Sequence, residues 1–424
     1  MSHPKRRATA GSFQPIQFTP KVFAASITGL FLAVLAFSQA AASTGIVIDT
    51  FRPMGGSFFS WRAGQTMLAV SLYKDRTKKF SPEKLVESGR TGLGYAPLSS
   101  RSLWMVGKGF EERGDLDRAR KVMRRAEAVT RRDAVVQLWL AEDALVHRTA
   151  IAPALRHYDL IIRSEPKANA DVLTRLAAIM VTPQSRRYLQ PYVRDDNPWF
   201  PALLTNAANS LPRAEPVGRL LLERGTKAPN LPELEPVYAQ LVSRLVSEGA
   251  TDVAVRLYPM LPNGKRAALA NVGGIVDGKP AVGYPPFVWA FGAENAGATP
   301  VSVASGKNGV EFYGASGTVG VAATKLVAPD GLAQLRWRVH ERTANLQSSA
   351  SWNATCVLGR SKGTTKASVN MLDKSLPLKK TISMQLPSDC DVVRIDLRIA
   401  GGIGTGPATL IVTDLGLVAA SPAG

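Results

Sequence analysis

The sequence predicts a multidomain α plus β protein: an N-terminal transmembrane helix, an array of paired helices, and a C-terminal antiparallel β-sandwich. Three observations lead there. Residues 22–42 carry no charge. From Trp61 to Val272 apolar residues recur at helical spacing, in runs separated by Pro, Gly or Asn. After Val272 that period disappears and apolar and polar residues alternate. At 424 residues the chain has room for two or three domains. Its 45% hydrophobic content suits domains that bury a core.

Residues 1–21 hold Lys5, Arg6, Arg7 and Lys21 and no acid. The uncharged run that follows is 21 residues long, enough for a helix to cross a hydrocarbon layer of ~30 Å. Positive charge before the run keeps the tail (1–21) cytoplasmic and sends the bulk across. The expectation is therefore a signal anchor at 22–42 in a bacterial inner membrane, single pass, with the rest periplasmic. A cleaved signal peptide ending near Ala40-Ala41-Ala42 is the rival, and it gives the same compartment.

The net charge of +19 is spread along the chain. Residues 43–283 hold 35 basic and 24 acidic side chains, and residues 284–424 hold 13 and 9. Mixed signs favour solubility and attraction to anionic surfaces or acidic glycans. A nucleic-acid reader would concentrate its cations with interleaved aromatics, and no such stripe is present. Arg124-Arg125 and Arg131-Arg132 are the densest basic pairs and read as a solvated helix face.

Residues 45–272 form the helical domain, opening on a Gly- and Phe-rich connector. Ser81-Pro82-Glu83 is a helix start, with a capping Ser and Pro at the first helical position. Next come Leu103, Val106-Gly107, Phe110, Gly114-Asp115, Ala119, Met123 and Ala126. Gly107 lets two helices approach, Gly114-Asp115 makes the turn, and Ala119 and Ala126 are small where the first helix lies against them. Ala154 and Tyr158 repeat the second helix 35 residues on, and Tyr238, Gly249, Ala254 and Tyr258 repeat the whole frame. Gly114 and Gly249 are 135 residues apart, close to four periods of about 34. This pattern resembles the tetratricopeptide (TPR) repeat. The resemblance implies an α-solenoid whose groove holds a protein partner. Between the two good copies, Pro183, Pro191, Pro198, Pro201, Pro212 and Pro216 are expected to cut the helices short.

Residues 273–285 read as a Gly/Pro linker, and 286–420 as the sandwich. In Gln334–His340, Leu335, Trp337 and Val339 share one face and Arg336, Arg338 and His340 the other. Val392–Ile399 alternates likewise. Further strands are expected at 301–304, 310–313, 318–322, 351–358, 379–386 and 409–417. The opening Phe287-Val288-Trp289, the Leu335–Val339 strand and the closing Leu410–Leu417, with Asp414 in a hydrophobic frame, resemble the jelly-roll carbohydrate-binding modules. The resemblance implies a flat aromatic sugar platform. Trp289, Tyr313 and Trp352 are the candidate glycan contacts; alternation assigns Trp337 to the core. The only cysteines, Cys356 and Cys390, lie 34 apart in this domain. Export would pair them. The closed loop would then be worth about 3–4 kcal/mol in the chain-entropy model.

No catalytic, cofactor or metal set emerges. Gly359-Arg360-Ser361-Lys362-Gly363 fits the string of a nucleophile elbow but falls between strands, and no His follows it. Gly273–Lys279 lacks the Ser or Thr of a phosphate-binding loop, with Pro280 in its place. The four histidines are scattered. The expectation is a non-enzymatic, membrane-anchored periplasmic adaptor. Its repeats would hold a protein partner and its sandwich a glycan, such as an acidic polysaccharide, or a second partner, in cell-envelope or extracellular polysaccharide assembly or export. The alternatives are a polysaccharide-processing enzyme with an accessory module, and a pure protein scaffold. Nucleic acid is not an expected partner, and no cofactor is implied.

Overall fold

Helices begin where the Ser81 cap predicts. The computed structural model describes residues 81–95, 97–164, 169–273, 275–276, 279–303, 308–329, 331, 334–403 and 406–419, with Gly29 and Ala33. The expected basic tail, the membrane span apart from those two residues, and the connector lie outside them. Among the described residues no helix is long and apolar enough to cross a membrane.

The chain divides into two units between Thr149 and Ala150. The first holds α1 (Pro82–Tyr95), α2 (Ser100–Glu112), α3 (Leu116–Val129), α4 (Ala134–Glu142) and a π-turn (Asp143–His147). Its core joins Leu103, Trp104 and Met105 to Ala119, Met123, Ala126, Val136 and Leu140. Gly107 lies against Met123, where an added Cβ would sit 2.8 Å from the Met123 methyl. The turn after α2 is a Schellman cap. Gly114 has φ +79°, its N–H donates to Glu111, and the Asp115 N–H donates to Phe110. The Asp115 carboxylate then accepts from the Arg118 N–H at 3.1 Å and starts α3. Asp133 caps α4 and also accepts from Ser100 and Arg101, tying α2 to α4.

The second unit begins with α5 (Ile151–Ser164), α6 (Asn169–Ile179), α7 (Pro183–Arg186), α8 (Phe200–Ser210) and α9 (Glu215–Glu223). It continues with α10 (Glu235–Ser247), α11 (Thr251–Leu257) and α12 (Arg266–Ala270). Ala154 and Tyr158 are buried on α5. Pro183, Pro201 and Pro216 lie in the first turns of α7, α8 and α9. They start helices, because an N-terminal turn has no use for the missing N–H. The α10–α11 turn repeats the α2–α3 cap: Gly249 has φ +84°, its N–H donates to Val246, and Ala250 donates to Leu245. Tyr238, Ala254 and Tyr258 are buried beside it.

Residues 273–285 hold a short antiparallel ribbon, β1 (Ile275–Val276) with β2 (Lys279–Pro280). They end on Tyr284, 2% exposed, with its ring 6.1 Å from Tyr238 and 6.4 Å from Tyr258. The Phe287 ring lies 4.8 Å from that of Tyr258, tilted by 55°. The helices therefore grip the entry to the sandwich through four aromatic rings. Gly283 is required there, because its missing side chain leaves room for the Tyr258 hydroxyl.

The strands are β3 (Ala290–Phe291), β4 (Ala296–Ser302), β5 (Asn308–Gly314), β6 (Val319–Val327) and β7 (Gln334–Thr343). They continue with β8 (Ser349–Gly359), β9 (Thr365–Ala367), β10 (Thr381–Gln385), β11 (Cys390–Ala400) and β12 (Ala408–Val418). They form two antiparallel five-stranded sheets, β3-β6-β11-β8-β9 and β10-β7-β12-β5-β4. Trp352 is at the core's centre, its ring 5.6–6.4 Å from Phe312, Trp289 and Trp337. Cys356 of β8 and Cys390 of β11 are joined in a disulfide, their Cα atoms 5.7 Å apart. Residues 360–364 make the β8–β9 turn, so the Gly-x-Ser-x-Gly string is a hairpin connection.

Candidate functional site

The outer face of the β10-β7-β12-β5-β4 sheet is the candidate site. It is built from strand alternation and register. On β5, Val310 and Phe312 are buried in the core, which turns Glu311 and Tyr313 outward. On β12, Leu410 and Val412 are buried, which turns Thr409 and Ile411 outward. Pairing then sets these residues in rows. One row runs Thr343, Thr409, Tyr313, Gly297 across β7, β12, β5 and β4. The next runs Glu341, Ile411, Glu311, Thr299. A third runs Thr381, Arg338, Thr413, Gly309, Val301.

Two irregularities shape this face. Between Val339 and Glu341 the register with β12 shifts, leaving His340 as an extra residue. The shift turns Glu341 outward beside Ile411 and turns Arg342 toward the rim. There Arg342 donates to the carbonyls of Met371, Lys374 and Leu376. On β12 the register shifts again after Thr413, where Asp414 adopts φ +52° and pairs with Arg338 at 3.4 Å.

Tyr313 is the aromatic of this face. It is half-buried, and its hydroxyl end leans over Gly297, in the space a side chain there would fill. A ring laid along a sheet, with threonine hydroxyls in its own row and carboxylates in the next, can meet the flat side of a sugar ring and hydrogen-bond its hydroxyls.

The other two candidate contacts are placed differently. Trp352 is 0% exposed and Trp289 is 4% exposed. Both rings are turned between the sheets, and the Trp289 indole N–H donates to the Val272 carbonyl at 2.8 Å. Neither offers a ring face to solvent, so neither joins Tyr313 on the outer face. Alternation in fact places Trp352 on the inner face with Ala350, Ala354 and Cys356, opposite the polar Ser351, Asn353 and Thr355. Thr409, Glu311, Glu341 and Arg338 were not singled out in the sequence. They come together through the non-sequential pairing of β5, β12 and β7, for which no short-range signal exists.

Inside the same sandwich Lys325 is 1% exposed and donates to the Phe287 carbonyl at 2.8 Å. Burial pulls its amine down to about 8 from the usual 10.5. Among the described residues no group of three His, Cys, Asp or Glu side chains is placed to hold a metal.

No protein-family model and no curated protein matches the chain. Among solved structures, the family 11 carbohydrate-binding module of the cellulosomal cellulase Lic26A-Cel5E of Clostridium thermocellum is similar at 11% identity. That match covers 32% of this chain and 88% of the module, at a TM-score of 0.21. At that score the likeness carries no weight for what this chain does. The described chain has a helical N-terminal part and a C-terminal pair of antiparallel sheets.

Proposed function

We propose that this chain is a non-enzymatic, membrane-anchored adaptor that holds a glycan on the outer face of its β10-β7-β12-β5-β4 sheet. One observation carries the reading. A half-buried tyrosine shares one row of the sheet's outer face with Thr409 and Thr343, and Glu311 and Glu341 stand in the next row. Core packing does not call for that combination. Two helix pairs closed by the same Gly cap support the TPR-like reading of the helices, with a protein partner in their groove. The uncharged run at 22–42 supports an inner-membrane anchor and a periplasmic location, and envelope or extracellular polysaccharide assembly is the process that unites a tether, a helical grip and a sugar face.

The test is a glycan array probed with the full-length chain in neutral detergent. We expect binding to a polysaccharide that Tyr313→Ala weakens about tenfold or more, the size of a hot-spot loss, with unchanged melting. An array with no binding, or binding indifferent to Tyr313→Ala, contradicts the proposal. A different enzymatic reading, with catalysis on the sandwich itself and not in the helical part, has one observation in its favour. Glu311 and Glu341 flank Ile411 on strands two apart, so their backbones are about 9–10 Å apart. Cleavage of the bound glycan, lost in Glu311→Gln, would decide for that alternative.

A further inference from the structure

The α3 helix has a face the glycan reading does not use. Ala119, Met123 and Ala126 turn into the core, which leaves Arg118, Lys121, Arg124 and Arg125 exposed on the other side. Arg131 and Arg132 are exposed in the turn that follows. Arg118, Lys121 and Arg125 fall at i, i+3 and i+7, along one line of about 10 Å.

The neighbouring acids are committed elsewhere. Asp115 caps α3 and pairs with Arg118 at 3.3 Å. Asp117 pairs with Arg120, which also holds the buried Asp143. Asp133 is buried on Ser100 and Arg101. Glu127 is half-buried and engaged in a contact of its own. The side chains of Lys121, Arg124, Arg125, Arg131 and Arg132 make no ion pair among the described residues. Like charges one helical turn apart oppose each other, so this row is unfavourable to the helix standing alone. An anionic chain laid along it would relieve that repulsion.

We propose that this basic edge binds a polyanionic glycan, a polysaccharide carrying carboxylate or sulfate along its length. The surroundings select that class. A membrane-surface helix interleaves large apolar side chains with its cations. Here the exposed apolar residues are Ala128 and the partly exposed Val129. A nucleic-acid face offers aromatics for stacking. The aromatic at hand, Phe110, is half-buried beneath the Arg118 guanidinium. Cations without stacking or insertion groups suit a flexible chain read by charge alone. The site is on the first unit and is separate from the Tyr313 face.

The experiment titrates the full-length chain, in neutral phosphatidylcholine nanodiscs, with polygalacturonate, dextran sulfate and uncharged dextran. We expect the two polyanions to bind, dextran not to, and affinity to fall as salt rises from about 50 to 200 mM. Replacing Lys121, Arg124, Arg125 and Arg131 together with Gln should weaken polyanion binding about tenfold or more. Replacing the three arginines with Lys should preserve it, and Tyr313→Ala should leave it unchanged. If the Gln variant fails to fold, Lys121→Gln and Arg131→Gln singly should each weaken binding. The proposal is overturned if neither polyanion binds, if dextran binds equally, or if the Gln variants bind as the parent does. Tighter binding to duplex DNA, or to discs containing phosphatidylglycerol, would assign the edge to another class of partner and would also overturn it.

Discussion

Lys325 shows what one side chain contributes against the fold. It is an amine between two sheets that donates to the Phe287 carbonyl, and desolvation is the cause of its shifted pKa. In the unfolded chain it titrates near 10.5, and in the folded protein near 8. Between those values the unfolded state binds more protons, so stability rises with pH from about 8 upward. Below 8 both states are charged and the full burial cost stands, roughly 3 kcal/mol from the shift. Lys325→Met removes that cost but leaves the Phe287 carbonyl without its donor, at about 1–2 kcal/mol. We expect the variant to be more stable at pH 7 by roughly 1–2 kcal/mol, with the gap closing toward pH 10. Urea denaturation of both proteins across that range checks it. A variant less stable than the parent at pH 7 would refute the assignment. No period or motif marked Lys325 in the sequence. Tyr313, by contrast, was marked in the sequence as a candidate aromatic, and the burial of Phe312 and Gly314 on either side then turns it outward.

At the scale of elements, the helix turns and long strands were legible because each has a local cause. Gly114 and Gly249 close α2–α3 and α10–α11 with positive φ and open space around them. Strain alone should decide their substitution. Gly114→Ala and Gly249→Ala are each expected to cost about 1–2 kcal/mol, with Asn in the same places costing less. Gly107→Ala differs, because its new methyl meets Met123 and its cost depends on whether that side chain moves. Thermal melts of the five variants test the ordering, and equal losses for Ala and Asn at Gly114 would refute it. The strands at 308–314, 334–343, 349–359, 381–385, 390–400 and 408–418 were foreseen to within a few residues, while the expected 301–304 meets only the end of β4 and the expected 318–322 only the first half of β6. The two-residue β3 and three-residue β9 are too short to show alternation, and the β1–β2 ribbon is hidden in a Gly/Pro stretch. The bulge at His340 escaped for a different reason. Simple alternation would send Glu341 inward, and the shift against β12 reverses that.

Over the whole molecule, the sequence divides more cleanly than the folded chain does. Composition changes sharply after Val272, yet the second unit carries helices and sheets together. Tyr238, Tyr258, Tyr284 and Phe287 explain why: aromatic packing across a Gly/Pro stretch holds its flanks. Sequence alone shows such a stretch as a break, since it sees the turn residues and not the rings that meet. The same second unit presents the Tyr313 face, and the first presents the α3 edge. The two proposals put one glycan-binding surface on each unit. The central claim is that sugar lies across β12 and β5. Hydrogen exchange of the full-length chain, with and without a polysaccharide that binds, tests this most directly. The account predicts slowed exchange in peptides covering 308–314 and 408–413, abolished by Tyr313→Ala. Slowing confined to other strands, or unchanged by Tyr313→Ala, would contradict it.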